Sequence, residues 1–193
     1  MAYEAKNYEQ LLGTKGFSDN LLKNHFTLYQ GYVTNTNKLL DLMINMVKEG
    51  KTSTPEFAEL KRRFGWEFNG MRLHELYFSN MKNGGVKLDQ KSKLHKKISE
   101  DFGSYENWVN VFKAVGTMRG IGWVVLYYDP EGNKLVNAWI NEHDVGHLVT
   151  CKPLMIMDVF EHAYMVDYNL KKADYIEAFF NAIDWNVVSK RFE

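Results

Sequence analysis

The amino-acid sequence predicts an α+β fold, with an N-terminal α-helical hairpin packed on a C-terminal three-stranded antiparallel sheet with flanking helices. Two long stretches in the first half carry apolar residues at helical spacing, each framed by capping residues. The second half holds the apolar runs GWVVLYYD and KLVNAWI around the turn DPEGN, with helical patterns before and after them. The texture changes after Gly85. Residues 1–85 are therefore expected to form a helical-hairpin domain and residues 86–193 an α/β domain.

Taken in order, the first helix is predicted from Ser18 as N-cap to about Lys48, with Leu22, His25, Tyr29, Tyr32, Leu39, Leu42, Met43 and Met46 on its apolar stripe and Gly50 as its stop. Thr54-Pro55 opens the second, since proline suits the first helical position. Its stripe runs through Leu60, Phe64, Phe68, Leu73 and Tyr77 to Met81, with joints expected near Gly65 and Gly70, and it ends at the loop Asn83–Gly85. LDQKSKLHKKISEDFG and SYENWVNVFKAVGTMRG read as two amphipathic helices, each closed by glycine, the second capped by Ser104. The two strands around DPEGN follow, then PLMIMDV as a third strand. EHAYMVDYNLKK and ADYIEAFFNAIDWNVVSKRF close the chain as helices.

Composition narrows the function classes. The 193 residues are 45% hydrophobic and 15% aromatic, enough for a sizeable core. Lys plus Arg equals Asp plus Glu at 24 each, so no global charge points to nucleic acid or to a membrane surface. The single Cys151 excludes an intrachain disulfide and suits a reducing compartment. MAYEAKNYEQLLGTKGF lacks the basic-then-apolar pattern of an export signal, and no run approaches a membrane span. A cytoplasmic location is expected.

Against this ordinary background PLMIMDVFEHAYMVDY places Asp158, Glu161 and His162 where core is expected, and burying an unpaired charge there costs several kcal/mol. Asp158 and His162 are four apart and can face one point if the chain turns from strand to helix between them. A helix-cap aspartate beside a hydrogen-bonded core histidine would satisfy that pair equally well. His74 shares its helix face with Met71, Phe78 and Met81, opposite a charged face carrying Arg72 and Glu75; His25 shares a face with Tyr29 and Tyr32. Three inward histidines and one inward aspartate on separate elements call for a shared cation. His95, within KSKLHKK, reads as solvated, and His147 has no assigned role.

In the order RLHELYF, GWVVLYYD and DVFEHAYMVDY, with a histidine on each arm of the hairpin and GxGW at Gly120–Trp123, the chain resembles the iron and manganese superoxide dismutases over nearly its whole length. The last block is close to that family's D-x-W-E-H-A-Y signature. The resemblance makes His25, His74, Asp158 and His162 the metal ligands, Tyr32 the tyrosine of the substrate channel and Trp123 a wall of the metal pocket. It implies one iron or manganese per subunit and a homodimer in which Glu161 bridges to the partner's ligand histidine. Superoxide would be the substrate.

The departures carry information. His25 lies seven residues before Tyr32 where the family has eight, so an ungapped alignment would put Asn24 at the ligand position; loss of one residue from a π-type bulge restores His25. A family histidine near the channel becomes Leu28 or Tyr29, its cross-dimer tyrosine becomes Met165, and D-x-W becomes Asp158-Val159-Phe160. The glutamine that in the family hydrogen-bonds metal-bound solvent comes either from the second helix, where this chain has Gly70, or from the loop before the aspartate, where it has His143. His143 is thus expected to donate to that solvent, as in histidine-bearing members, with which iron is the favoured metal. The rival readings are a non-haem iron oxygenase, which a fourth protein ligand disfavours, and a metal-binding or scaffold protein that kept the fold without the activity.

Overall fold

The computed structural model describes residues 2–193. Helix α1 spans Asp19–Lys48 and α2 Pro55–Ser79, forming the hairpin. Each start is fixed locally: Ser18 Oγ accepts from Leu21 N at 3.0 Å and Thr54 Oγ1 from Phe57 N at 3.3 Å. Gly50, at φ 68°, supplies the left-handed residue past the end of α1. Neither Gly65 nor Gly70 breaks α2, contrary to the joints expected there. Toward the hairpin tip α1 buries Leu39 and Met43, and Leu42 is exposed instead of inward.

Helices α3 (Lys93–Phe102) and α4 (Tyr105–Thr117) begin at Ser92 and Ser104, whose hydroxyls cap His95 N and Asn107 N. His95 is half-buried, not solvated, because its ring stacks on Tyr105 with centroids 5.6 Å apart. The sheet consists of β1 (Gly122–Asp129), β2 (Lys134–Asn141) and β3 (Lys152–Asp158) in the order β2-β1-β3, antiparallel throughout. The central strand is also the most apolar, as a strand with neighbours on both edges requires. Its pairing sets Trp123 opposite Asp158, so the sheet register alone brings these two residues side by side.

After β3 the chain departs from the two long helices expected. Glu161–Ala163 is a single 3-10 turn, α5 (Met165–Tyr168) is one turn ended by Asn169 at φ 50°, and α6 (Lys172–Ala182) is separated from α7 (Trp185–Phe192). The break between α6 and α7 has a tertiary cause. Asp184 N donates to Asn80 O at 2.6 Å and Ile183 O accepts from Val86 N at 2.8 Å, so the backbone there is used by the end of α2 and the following loop. Arg191 ties α7 down by donating to Asn80 Oδ1, Leu154 O, Leu76 O and Ser79 Oγ. One buried cluster, from Tyr8 to Val188, takes residues from the hairpin, the sheet and the closing helices.

Candidate metal centre

Asp158 ends β3 with its side chain fully buried. Its Oδ1 accepts from Phe160 N at 2.9 Å, which orients the carboxylate, and its main-chain carbonyl oxygen accepts from Tyr175 Oη at 2.6 Å, which holds the backbone. The free oxygen, Oδ2, lies 3.2 Å from His25 Nε2 of α1, 3.1 Å from His162 Nε2 of the 3-10 turn and 3.7 Å from His74 Nε2 of α2. All four candidate ligand atoms lie within 4.8 Å of one another. Helix α1 is α-helical from end to end, and in this register His25 and Tyr32 both face inward, as the missing-residue argument requires.

Whether this set suits a cation is decided by His74. Its Nδ1 is 2.6 Å from Gly70 O, a group that only accepts, so the proton sits on Nδ1. Nε2 is then a bare lone pair, buried without any hydrogen-bond donor and facing two more imidazoles and a carboxylate. A buried acceptor left without a donor costs about 1–3 kcal/mol, and a metal ion is the group that satisfies it. The electrostatics agree. Burial, then the neighbouring rings, hold His74 well below the ordinary histidine range, and burial likewise lowers His25 against the opposing pull of Asp158. Burial alone would raise Asp158, but the His162 and His25 rings outweigh it and hold the carboxyl far below the usual range. Neutral rings at His25 and His74 beside an ionised Asp158 match the protonation states that a nitrogen–oxygen metal site requires.

A second layer surrounds the four. His143 is fully buried, with its ring stacked on Phe160 at 4.8 Å and edge-on to Trp66 at 4.5 Å. Trp123 Nε1–H donates to His143 Nδ1 at 3.0 Å, so the neutral ring carries its proton on Nε2, 2.8 Å from Tyr32 Oη. Burial lowers the His143 pKa to about 4, keeping the ring neutral at ordinary pH. Burial, then the charges of Asp158 and Glu67, raise the Tyr32 phenol above its usual range. Tyr32 also stacks on His74 at 5.1 Å. It fills the space beside Gly70, where a Cβ would lie 2.6 Å from Tyr32 Cδ1.

Other expectations fall differently. Glu161 is exposed on this chain, not in its core, and His162 is half-buried beside it. Met165 is exposed as well. Glu75, expected on a charged outer face, is buried because it accepts from Tyr29 Oη at 3.1 Å, Lys6 Nζ at 3.0 Å and Arg72 at 2.7 Å. The Tyr29 hydroxyl also accepts from Lys6 N at 3.0 Å, so it faces the N-terminal segment. Trp66 had no part in the sequence reading. Its signal was the run Trp66, Gly70, His74 at steps of four, which puts the indole on the ligand's own face of α2. Its Nε1–H donates to Glu142 at 3.0 Å and Arg63 lies 3.8 Å over its ring.

A family model described as iron/manganese superoxide dismutases, C-terminal domain, matches residues 90–191. The iron superoxide dismutase of Aquifex pyrophilus is 36% identical over 98% of this chain and 91% of its own length. The manganese superoxide dismutase 2 of Haloferax volcanii is 34% identical over 88% of this chain and 83% of its own, and the iron enzyme of Saccharolobus solfataricus 32% over 86% and 80%. Three histidines and one aspartate gathered from four elements, within a chain similar to these proteins along nearly all its length, place it plainly: it belongs to the iron/manganese superoxide dismutase family.

Proposed function

We propose that this chain dismutates superoxide, so that two superoxide anions and two protons yield one dioxygen and one hydrogen peroxide. The observation that carries the reading is the His74 Nε2 lone pair, buried without a donor among two further imidazoles and one carboxylate oxygen. A single iron or manganese ion held by His25, His74, Asp158 and His162 would supply the one-electron couple, both metals suiting this donor set. Residues 1–85 and 86–193 contribute two ligands each, so the site closes only when both halves are folded together.

The surrounding residues manage protons and access. Trp123 fixes the tautomer of His143, whose single N–H is then held by Tyr32 Oη. That bond uses a lone pair of the phenol oxygen and leaves the Tyr32 hydroxyl proton free to be given inward. The raised pKa keeps that proton in place until a stronger base forms, which suits a final donor to peroxide. In this reading His143 acts through the Tyr32 hydroxyl, where the sequence suggested a direct bond to metal-bound solvent. Trp66, Phe160 and Trp123 wall the ring and restrict access to small reactants. Among the described residues no helix is long and apolar enough to cross a membrane. The single cysteine, Cys151, suits the reducing cytoplasm in which we place the protein.

The dimer completes the proposal. Glu161 is exposed and His162 half-buried beside it, and a second copy related by two-fold symmetry would let each Glu161 accept from the other's His162.

Metal analysis and a dismutation assay on one preparation test the central claim. About one iron or manganese per chain with dismutase activity is expected, and His74→Ala should lose both. Metal without activity would identify a family member that kept the site as a scaffold, and normal metal in His74→Ala would remove the ligand assignment.

A further inference from the structure

The loop carrying His143 has apolar anchoring only at its far end, where Leu148 and Cys151 are partly buried against the core. Between β2 and β3 it passes through Glu142 and Thr150 at φ 50° and 65°, and it leaves Val145 60% and Val149 87% exposed. His143 is nevertheless fully buried, and a histidine whose N–H must meet one hydroxyl needs its main chain fixed as well as its ring. The loop is closed at its base by Asn141 and Val145, which exchange backbone bonds at 2.7 and 3.3 Å.

One side chain inside the loop reaches back to the residue in question. His147 Nε2 lies 2.9 Å from the carbonyl oxygen of His143, and its Nδ1 lies 3.0 Å from Tyr127 Oη. A carbonyl only accepts, so Nε2 carries the proton. In the neutral ring Nδ1 then accepts, and the Tyr127 hydroxyl donates to it. Trp123 and Tyr127 stand four apart on β1, whose side chains alternate in direction, so both project from the same face of that strand. The ring of His143 is referenced to β1 through Trp123, and its main chain through His147 and Tyr127.

We propose that His147 is a positioning residue for dismutation, holding the His143 peptide so that its imidazole N–H stays on Tyr32. This rests on the dismutase reading. Because loss of an outer hydrogen-bond partner at a metal site typically costs about ten- to a hundredfold in metal affinity or activity, the effect is measurable.

The test uses metal-loaded protein with metal content, melting temperature, reduction potential and dismutation rate read together. His147→Leu should keep its metal while the rate falls about tenfold or more and the potential shifts. His147→Gln, which offers one donor and one acceptor, should restore most of both. Tyr127→Phe frees the His147 tautomer and should shift the potential in the same direction by less. In a Tyr32→Phe background, His147→Leu should add nothing further to rate or potential, since the group that His143 holds is gone. An active wild type whose His147→Leu variant is unchanged, or loses only melting temperature, overturns the positioning role. Fully additive effects in the Tyr32→Phe background overturn it too. If His147→Leu fails to fold, the Gln and Phe variants decide on the same readouts. An inactive wild type would instead remove the dismutase reading itself.

Discussion

Gly70 offers a quantitative trial of how the pocket is packed. Replacing it with alanine adds one carbon to the inner face of α2, at a point 2.6 Å from Tyr32 Cδ1 and 2.8 Å from Cε1. An ordinary contact between carbons begins near ~3.5 Å, so the Tyr32 ring must retreat by close to 1 Å or α2 must bend away. The Tyr32 Oη to His143 Nε2 bond is 2.8 Å, and a shift of that size along it leaves no hydrogen bond. Two opposing stability effects accompany the change. Alanine is better than glycine in a helix interior by about 1 kcal/mol, while overpacking a close-packed core costs about 1–3 kcal/mol. The net is a loss of between zero and about 2 kcal/mol. A catalytic group misplaced by ~1 Å can cost about a hundredfold, so the dismutation rate per bound metal should fall ten- to a hundredfold with metal content preserved. Thermal melts beside metal-normalised dismutation assays on Gly70→Ala measure both quantities. A variant with wild-type rate and a melting temperature raised by the few degrees that ~1 kcal/mol confers would refute the packing argument and the role given to Tyr32. The same contact explains why a glutamine borne by this helix position has no room here.

The remaining expectations concern other parts of the site. His143→Gln should leave metal content nearly intact while changing the reduction potential and the ratio of activity with iron to activity with manganese; electrochemistry and reconstitution with each metal would show an unchanged pair of values if His143 were a bystander. Glu161→Ala should weaken the dimer and lower metal content or activity, whereas sedimentation of a monomeric, fully active wild type would end the bridge proposal. For the metal-free protein, stability should decline as the pH is lowered from 7. His25, His74 and His143 all have folded pKa values below the ~6.5 of an unfolded histidine, that of His143 at about 4, so their contribution is complete above ~6.5 and is lost as pH falls toward the folded values. Asp158, depressed below the usual ~3.9, adds a further loss only at more acid pH. Melting temperatures that stay level from pH 7 to pH 5 would contradict these directions.

The sequence by itself determined the starts of α1, α2 and α4, the three strands and the four ligand candidates, because each is written in local terms. A serine or threonine caps the first turn at Ser18, Thr54 and Ser104, and apolar residues recur at the period of the element. His25 and His74 could be recognised as inward because their helix neighbours are apolar. Only the tertiary structure decided the rest. Whether α6 and α7 are one helix or two depends on Asn80 and Val86, roughly a hundred residues earlier, claiming the backbone at Ile183 and Asp184, and neither glycine nor proline marks the break. Glu75 looks like a surface carboxylate until Tyr29, Lys6 and Arg72 converge on it. The packing roles of Trp66 and Gly70 appear only when His143 and Tyr32 are brought against them from the β2–β3 loop and α1. The direction of the His143 proton is the clearest case: residue type allows either nitrogen, and the choice is made by a tryptophan N–H that the sheet register delivers beside Asp158. Periodicity and capping act between residues a few positions apart and are legible along the chain, whereas hydrogen-bond direction and close packing are pairwise properties of residues that meet only after folding.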